Sequence, residues 1–337
     1  MDDRYARQKA LRHIGIKGQE KLAASRVAIA GMGALGSVQA QLLCRAGVGF
    51  LRIIDRDTVE MNNLQRQILY TEQDAAEGLP KVMAAGRRLR GINSGIRIEE
   101  IAADLNSGNA EALLRDVDLV LDATDNMETR YLINEVCVKN GIPWIYGGAV
   151  ESEGMTMNIL PGGACFSCMT GRHFHEGGGE SRTCSTVGVL NTLTTAVASV
   201  QCTEALKILL GSGNVRRSLL FLELWENEAQ EIPVEKNPAC PVCGRGEYWY
   251  LTHSAGMRTS TFCGKDSVQI IPDNKARPDL QALRDKLEKI GEVKMTSFCL
   301  DFEGAEASFQ VYPDGRAIIR HVDSEGKAKS VYTEYLA

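Results

Sequence analysis

Short apolar runs alternate with amphipathic segments over the first half of the chain. The runs predict β-strands at residues 26–30, 50–54, 96–98, 118–121 and 141–146, after an amphipathic helix near residues 5–11. Between the strands, apolar residues recur at helical spacing, and Pro80 opens a further helix. This alternation predicts an α/β fold with a Rossmann-like, doubly wound and mainly parallel sheet, which binds ligands at the carboxyl ends of its strands.

The pattern changes after about residue 147. Strands at 155–160 and 219–224 are predicted to continue the sheet in antiparallel fashion. A helix over residues 188–210 is apolar on much of its surface, so we expect it to be buried. The glycine-rich segment 173–181 predicts a mobile loop.

The last part of the chain, from about residue 247, predicts a small α+β domain. It contains a charged helix near residues 278–290, two strands joined at Pro313-Asp314-Gly315, and a closing helix that ends at Tyr335. We therefore expect two domains, at residues 1–246 and 247–337.

The composition is that of an ordinary globular enzyme, with 44% hydrophobic and 24% charged residues among 337. A formal net charge of −5 gives no reason to expect nucleic acid as a partner. We recognise no charge-free apolar stretch of about 18 residues and no signal peptide. The sequence therefore favours a cytoplasmic protein with no membrane-spanning segment.

A glycine loop follows the first predicted strand. Gly31, Gly33 and Gly36 form the pattern of a phosphate-binding turn, where backbone N–H groups and the start of a helix attract a phosphate. Asp55 ends the second predicted strand, where a carboxylate binds ribose hydroxyls. These residues fit the adenosine of NAD as well as that of ATP.

The polar residues that come next favour a triphosphate. Arg66 and Lys81 are cations that would stabilise charge on a leaving pyrophosphate, and Asn63, Gln65 and Gln67 add neutral hydrogen-bonding groups. Hydride transfer would require none of them. Each cation taken singly is also consistent with a solvated surface charge.

Two carboxylates, Asp122 and Asp125, lie close together at the end of a predicted strand. Mg²⁺ usually takes one or two carboxylates and completes its shell with substrate phosphates, so Asp125 is a candidate ligand. The alternative is that Asp122 or Asp125 caps the following helix, and both roles can hold together.

Four of the ten cysteines form two Cys-x-x-Cys pairs, Cys165/Cys168 and Cys240/Cys243. Their four thiolates would complete a tetrahedral Zn²⁺ site that leaves no position open for water, which is a structural site. The alternative is four reduced cysteines without metal.

Two further cysteines are candidates for chemistry. Cys184 precedes a predicted helix and lies near Arg182, an arrangement that favours the thiolate form. A nucleophilic or persulfide role fits Cys184, as does the role of an ordinary buried cysteine. Cys263 is a weaker candidate.

The order of these motifs resembles that of the ThiF/MoeB family, bacterial relatives of ubiquitin-activating enzymes, over about residues 4–246. The motifs are Arg4-Tyr5-x-Arg7-Gln8, the glycine loop, Asp55-x-Asp57-Thr58-Val59, Asn63-Leu64-Gln65-Arg66-Gln67, Pro80-Lys81, Asp122-Ala123-Thr124-Asp125-Asn126 and the two cysteine pairs.

The resemblance implies adenylation of the C-terminal glycine carboxylate of a small ubiquitin-like sulfur carrier protein ending in Gly-Gly. The reaction would use MgATP, release pyrophosphate, and serve thiamine or molybdopterin-type cofactor biosynthesis. The implied nucleotide-binding residues are Gly31, Gly33, Gly36, Asp55, Asp57, Asn63, Arg66, Gln67, Lys81 and Asp122, with Asp125 on magnesium.

Further roles also follow from the resemblance. Arg7 would reach into the ATP site of the partner subunit in a homodimer, and Cys184 matches a loop cysteine that can bond to the activated carrier. No rhodanese domain follows, which implies a separate sulfur donor, a cysteine desulfurase or a rhodanese. The tail from about residue 247 is absent from the short family members, and we expect it to recognise the carrier or the donor.

Three other functions remain to be weighed. An NAD-dependent dehydrogenase gives no role to Arg7, Arg66 or the cysteine pairs. A non-catalytic scaffold would lose the cations and the carboxylate that contact ATP, and this chain keeps them. Adenylation of a different acceptor, a peptide or a tRNA nucleoside, is disfavoured because relatives that act on tRNA generally lack the cysteine pairs.

Overall fold

A computed structural model of the chain describes residues 3–171, 187–253, 258–261, 267–272, 278–296, 298–322 and 324–336. The chain separates into two compact units, Met1–His253 and Ser254–Ala337. The candidates Cys184 and Cys263, and the glycine-rich segment 173–181, lie outside the described residues.

The first unit is built on a mixed sheet, which the described residues form with eight strands in the order β3-β2-β1-β4-β5-β6-β7-β8. The strands are β1 (Arg26–Ala30), β2 (Phe50–Ile54), β3 (Arg97–Ile101), β4 (Leu119–Asp122), β5 (Trp144–Val150), β6 (Glu153–Ile159), β7 (Leu219–Glu223) and β8 (Glu228–Ile232). Strands β1 to β5 are parallel, and β5 to β8 pair antiparallel. The Rossmann-like sheet with an antiparallel continuation is confirmed.

Helices connect these strands and cover both faces of the sheet. They are α1 (Ala6–Lys9), α2 (Gly15–Ala24), α3 (Ala34–Ala46), α4 (Glu72–Ala76), α5 (Lys81–Ile92), α6 (Ala110–Leu114), α7 (Met127–Asn140), α8 (Phe166–Thr170), α9 (Asn191–Leu210) and α10 (Trp249–Thr252). Successive residues of a strand point to opposite faces, so Val120 packs with Trp144 in one core and Leu121 packs with Ile29 in another.

Helix α9 corresponds to the helix that the sequence predicts at 188–210. Within the described part of the chain it is the helix that is long and apolar enough to cross a membrane, and it contains two charged residues, Glu204 and Lys207. It packs on α3, β5 and β6, and Leu193, Val197 and Ala198 are fully buried. These contacts account for its apolar composition as that of a helix in a protein core.

Several elements of this unit were missed, among them strand β8, helix α2 and the short helices α4, α6, α8 and α10. Strand β8 carries the residues Glu-Ala-Gln-Glu-Ile and is exposed along its whole length, so it has no apolar alternation by which to recognise it. Helix α2 has only one apolar residue that is fully buried, Leu22, and therefore a weak periodic pattern.

The second unit forms an antiparallel sheet with the strand order β11-β12-β13-β14-β10-β9. Its strands are β9 (Arg258–Thr261), β10 (Ser267–Ile271), β11 (Gly291–Met295), β12 (Leu300–Gly304), β13 (Ser308–Val311) and β14 (Ala317–Arg320), and its helices are α11 (Leu280–Leu287) and α12 (Glu325–Leu336). Phe302, Phe309 and Ile319 of the sheet pack with Leu287 and Tyr332 of the helices in a separate core.

The turn between β13 and β14 contains the predicted Pro-Asp-Gly sequence. Gly315 has φ +85°, a conformation that glycine adopts without strain. Its carbonyl oxygen accepts a hydrogen bond from the Tyr332 hydroxyl at 2.7 Å, and Asp314 Oδ2 pairs with Arg316 Nε at 2.6 Å. The turn is therefore held by α12 as well as by its own residues.

Candidate functional site

The glycine loop joins β1 to α3, and two of its glycines are required by the backbone itself. Gly31 has φ +94°, and a Cβ there would lie 2.5 Å from the Ala123 carbonyl oxygen. A Cβ on Gly36 would lie 1.9 Å from the Gly31 carbonyl oxygen. Both positions exclude any larger residue, because the loop, the end of β4 and α3 pack directly on one another.

Gly33 differs from its neighbours because the fold leaves space beside it. A Cβ there would approach only the Gln67 amide nitrogen, at 3.8 Å. Gly33 is the residue before α3, whose first backbone N–H groups attract an anion. Gln67 is buried, and its Oε1 finds no hydrogen-bond partner among the described residues. The open space and the polar groups around it fit a phosphate.

Asp55 lies at the carboxyl end of β2 and is held by the backbone. Its carboxylate accepts hydrogen bonds from the Met32 N–H at 2.6 Å and from the Asp57 N–H at 2.7 Å. Burial raises the pKa of Asp55, although the nearby charge of Lys81 opposes that rise. The Asp55 side chain is thus fixed beside the glycine loop, where ribose hydroxyls would bind.

Lys81 is the first residue of α5 and is 5% exposed. Its Nζ lies 2.9 Å from Asp57 Oδ2. Burial by itself lowers the pKa of Lys81, but the charges of Asp57, Asp55 and Asp125 outweigh burial, so the net pKa is raised. Lys81 therefore brings a permanent positive charge to the carboxyl end of β2.

Arg66 follows a 3₁₀ turn at Met61–Asn63. Its guanidinium donates to Asn63 Oδ1 at 3.0 Å and to the Asn62 carbonyl oxygen at 3.1 Å. The Asn191 side chain, at the start of α9, donates to the Gln65 carbonyl oxygen at 3.2 Å. The motif that the sequence singled out is thus a folded turn tied to the long core helix.

Asp122 is fully buried at the end of β4, and both oxygens of its carboxylate accept hydrogen bonds from the protein. Oδ1 accepts hydrogen bonds from the Thr124 N–H and hydroxyl at 2.9 and 2.7 Å. Oδ2 accepts from Arg130 Nε at 3.3 Å and from the Gly147 N–H at 3.5 Å. Burial raises the pKa of Asp122, and Arg130 opposes the rise. With these partners, Asp122 is suited to support the site rather than to contact a nucleotide.

Asp125 is exposed, and the described chain provides its carboxylate with no hydrogen bond or short ion pair. Against the effect of burial, the pKa of Lys81 is raised mainly by Asp57 and that of Arg56 mainly by Asp104, and Asp125 lies near enough to add to both increases. Neither Asp122 nor Asp125 caps α7, because the Asn126 side chain accepts the Thr129 N–H at 2.8 Å. Asp125 is therefore available as a ligand for Mg²⁺, which takes few protein carboxylates.

Arg7 lies on α1 and is exposed. Its neighbours hold the helix in place: Tyr5 accepts a hydrogen bond from Asn93 Nδ2 at 2.8 Å, and Gln8 Nε2 donates to the Ala46 carbonyl oxygen at 2.7 Å. Arg7 is thus presented to solvent by a helix anchored on both sides of it.

The structure brings the predicted groups to one edge of the sheet. Gly31 follows β1, Asp55 follows β2 and Asp122 ends β4, and β1 lies between β2 and β4. The strand order changes direction at β1 and β4, which is where doubly wound sheets bind ligands. Arg7 alone of the predicted cations lies in an element that precedes the sheet.

Sequence reasoning missed several residues of this edge. Arg130 pairs with Asp122, and its place one helical turn after the Asn126 cap was the available signal. Gln39 and Gln201 both donate to the Asp122 carbonyl oxygen, at 3.2 and 3.0 Å. These residues come from distant parts of the chain, and nothing in their local sequence indicates that they meet.

The two Cys-x-x-Cys pairs come together in the first unit. The Sγ atoms are 3.9 Å apart for Cys165 and Cys168, 3.7 Å for Cys165 and Cys240, and 3.4 Å for Cys168 and Cys243. All four lie within 4.8 Å of one another. Four sulfurs around Zn²⁺ at about 2.3 Å would be about 3.8 Å apart, so the cluster fits a tetrahedral zinc ion.

A Rossmann-like sheet with a phosphate-type loop at its switch point defines a nucleotide-binding protein. Residues 5–242 match the ThiF family, so the chain belongs to that family.

Curated relatives extend the match. The chain is 38% identical to the sulfur carrier protein ThiS adenylyltransferase of Bacillus subtilis over 340 residues, covering 100% of both chains. It is 38% identical to the molybdopterin-synthase adenylyltransferase of Escherichia coli, covering 72% of this chain and 96% of that one.

Solved structures share the fold. The structure of E. coli MccB with ATP superposes with a TM-score of 0.62 at 23% identity, covering 72% of this chain and 75% of that chain. At this identity the likeness concerns the fold alone.

Proposed function

We propose that this chain is an adenylyltransferase that activates the C-terminal glycine carboxylate of a small ubiquitin-like sulfur carrier protein. The observation that carries the proposal is its similarity, over the full length of both chains, to a relative named for adenylation of the carrier ThiS. The relatives named for other carriers cover about 72% of the chain. The match over both units therefore favours a carrier of the ThiS type and a role in thiamine biosynthesis over molybdopterin biosynthesis.

The reaction that we propose is an in-line displacement at the α-phosphorus of ATP. An oxygen of the carrier carboxylate forms a bond to the α-phosphorus, and the bond from that phosphorus to the bridging oxygen breaks. Pyrophosphate leaves with the electron pair, and the products are the carrier acyl-adenylate and pyrophosphate. No bond to the protein forms in this step, so the protein acts by positioning and by stabilising charge.

Binding of ATP would use the groups at the carboxyl edge of the sheet. The space beside Gly33 and the start of α3 would hold phosphates, and the Asp55 carboxylate would accept the ribose hydroxyls. Asn63, Gln67 and the backbone near them would add neutral hydrogen bonds. Lys81 and Arg66 would neutralise the charge that builds on the leaving pyrophosphate.

The Asp125 carboxylate would hold the magnesium ion that accompanies ATP. The fit rests on an exposed carboxylate without a hydrogen bond from the described residues, beside groups suited to bind phosphate. When bound, the ion supplies charge neutralisation on the triphosphate. Asp125 would hold it, and Asp57 would keep Lys81 in place nearby.

Zinc would have a structural role. The cluster would join the segment 165–168, at the start of α8, to the turn at 240–243, and four thiolates leave no ligand position for a substrate. Such sites contribute on the order of 10 kcal/mol to folding in small zinc domains.

The assembly that we propose is a cytoplasmic homodimer in which Arg7 of one subunit completes the ATP site of the other. We assign adenylation to the first domain, residues 1–246, and recognition of the carrier or of the sulfur donor to the second, residues 247–337. The sulfur donor would be a separate cysteine desulfurase or rhodanese. Cys184 remains a candidate for a covalent bond to the activated carrier.

The test is carrier-dependent exchange of labelled pyrophosphate into ATP. We expect exchange with carriers that end in Gly-Gly, and loss of exchange when the last glycine is removed or Asp125 is changed to Asn. Glu20→Gln, which removes an exposed carboxylate of α2 in the first unit, should exchange like the wild type. Exchange that is independent of the carrier tail would contradict the proposed acceptor.

A further inference from the structure

The guanidinium of Arg130 is held on several sides at the edge of the proposed ATP site. Nη2 donates to the Thr124 carbonyl oxygen at 2.6 Å and to the Gly147 carbonyl oxygen at 3.3 Å. Nε lies 3.3 Å from Asp122 Oδ2, and the guanidinium carbon lies 5.3 Å from the centre of the Tyr146 ring. A planar cation with this many partners has essentially one position.

One of these contacts fixes the peptide that joins Thr124 to Asp125. The Thr124 N–H and hydroxyl bond to Asp122 on one side, and its carbonyl oxygen accepts from Arg130 on the other. The Asp125 carboxylate has no such support, since the described residues make no hydrogen bond to it. Its direction therefore depends on the peptide that Asp122 and Arg130 hold.

Arg130 also neutralises one of the two carboxylates at this edge of the sheet, that of Asp122. Asp122 is fully buried, and the positive charge of Arg130 compensates its negative charge. Asp125 then remains as the carboxylate whose charge and lone pairs are available to a cation. A carboxylate that must bind a small, geometrically demanding ion such as Mg²⁺ gains affinity when it is held in place beforehand.

We propose that Arg130 is a positioning residue for divalent-cation binding: it fixes the Thr124–Asp125 peptide and so aims Asp125 at the cation of the metal–ATP complex. The inference rests on the proposed role of Asp125 as the magnesium ligand. It assigns to Arg130 no contact with the substrate or with the metal.

The experiment is a titration of Mn²⁺ into the full-length protein with ATP, followed by electron paramagnetic resonance, which requires neither a carrier nor turnover. Arg130→Lys keeps the charge but loses the forked geometry, and we expect it to weaken Mn²⁺ binding about tenfold. ATP binding in the presence of EDTA should change by less than about twofold. Magnesium dependence of pyrophosphate exchange should shift in the same direction.

Arg52→Lys is a matched control. Arg52 is similarly buried, pairs with Asp116 at 2.5 Å and Glu99 at 2.6 Å, and lies over the Phe50 ring. Loss of the Arg52 guanidinium should lower the stability of the protein and leave its affinity for Mn²⁺ unchanged. An Arg130→Lys protein that binds Mn²⁺ as tightly as the wild type, or whose metal-free ATP affinity falls by the same factor, would overturn the proposal.

Two further variants distinguish a failure of the Arg130 proposal from a failure of the proposed role of Asp125. Asp125→Asn should weaken Mn²⁺ binding more than Arg130→Lys does, and wild-type affinity in that variant would refute the proposed function of Asp125 itself. If Arg130→Lys does not fold, Thr124→Val serves instead, because it removes only the hydroxyl that bonds Asp122. We expect it to weaken Mn²⁺ binding about threefold, and unchanged affinity would overturn the role of the held peptide.

Discussion

Lys81 and Asp57 are joined twice, through side chains and through backbone. Lys81 Nζ lies 2.9 Å from Asp57 Oδ2, and the Lys81 N–H donates to the Asp57 carbonyl oxygen at 2.9 Å. The start of α5 is thereby fixed to the segment that follows β2. A buried ammonium held in this way needs no rearrangement before it stabilises charge, which is how preorganised groups contribute most to catalysis.

Replacing Lys81 by Met should therefore abolish most of the carrier-dependent exchange. We expect a loss of about 100-fold or more in kcat, because a fixed charge near the leaving pyrophosphate is removed. Steady-state exchange kinetics measure it, and thermal unfolding shows whether the variant is folded. Lys81→Arg, which keeps the charge, should recover part of the activity. Exchange by Lys81→Met within about threefold of the wild type would refute the proposed role.

Replacing two glycines of the loop by alanine should have different effects, one on ATP binding and the other on stability. Gly33→Ala places its Cβ no closer than 3.8 Å to the protein, so we expect a stable protein with ATP affinity reduced about tenfold or more. Gly36→Ala places its Cβ 1.9 Å from the Gly31 carbonyl oxygen, so we expect a protein that unfolds at lower temperature. Calorimetric ATP titration and thermal unfolding measure the two effects. Unchanged ATP affinity in folded Gly33→Ala would contradict a phosphate site beside it.

The four-cysteine cluster should contain one zinc ion per chain. Metal analysis of the purified protein measures its content, and Cys240→Ser should lose the ion and about 10 °C or more of thermal stability. Cys202→Ala is the control, because Cys202 is a buried cysteine of α9 outside the cluster. It should keep the zinc. Full zinc occupancy in Cys240→Ser would show that the cluster is not the binding site.

Glu135 should make the stability of the first unit depend on pH. It is fully buried on α7 and accepts the Leu251 N–H at 2.9 Å. Burial raises the pKa of Glu135 from 4.5 to about 7, against hydrogen bonds from backbone N–H groups that lower it. Between these pH values the folded protein keeps a proton that the unfolded chain releases, so stability falls as pH rises from about 5 to 7.

The check is denaturant unfolding of wild type and Glu135→Gln at pH 5 and pH 8. The substitution keeps an acceptor and cannot ionise, so it should gain stability relative to the wild type at pH 8, by up to about 3 kcal/mol. Glu111→Gln, which changes a half-exposed carboxylate paired with Lys139, should follow the wild-type pH dependence between pH 5 and pH 8. If the stability of wild type and of Glu135→Gln changes by the same amount between pH 5 and pH 8, the raised pKa of Glu135 is excluded.

Much of the fold followed from local sequence because its strands are apolar runs and its turns carry glycine. The parallel strands, β6, β7 and α9 were predicted close to where they lie. Strand β8 was not, because an exposed edge strand has no apolar face. Helix α9 was predicted to be buried because it is apolar on much of its surface, and it packs in the core, although its length and composition would also fit a membrane span.

The candidate site was predicted through residues that carry chemistry in recognisable order, and less well through those that support them. The sequence singled out Asp122 and Asp125 together, and the structure separates their environments: Asp122 is enclosed by partners, whereas Asp125 is exposed. The difference arises from Arg130 and Gly147, which reach Asp122 only in the folded chain. Contacts of this kind leave no local pattern.

The most direct test of the central claim is to follow an oxygen atom from the carrier to AMP. A carrier labelled with ¹⁸O in its terminal glycine carboxylate is incubated with the enzyme and MgATP, and the product is cleaved with hydroxylamine, which attacks the carbonyl carbon. If the carboxylate attacks the α-phosphorus, the AMP released carries one ¹⁸O atom. Unlabelled AMP, or label recovered in phosphate or pyrophosphate, would contradict adenylation of the carrier by this protein.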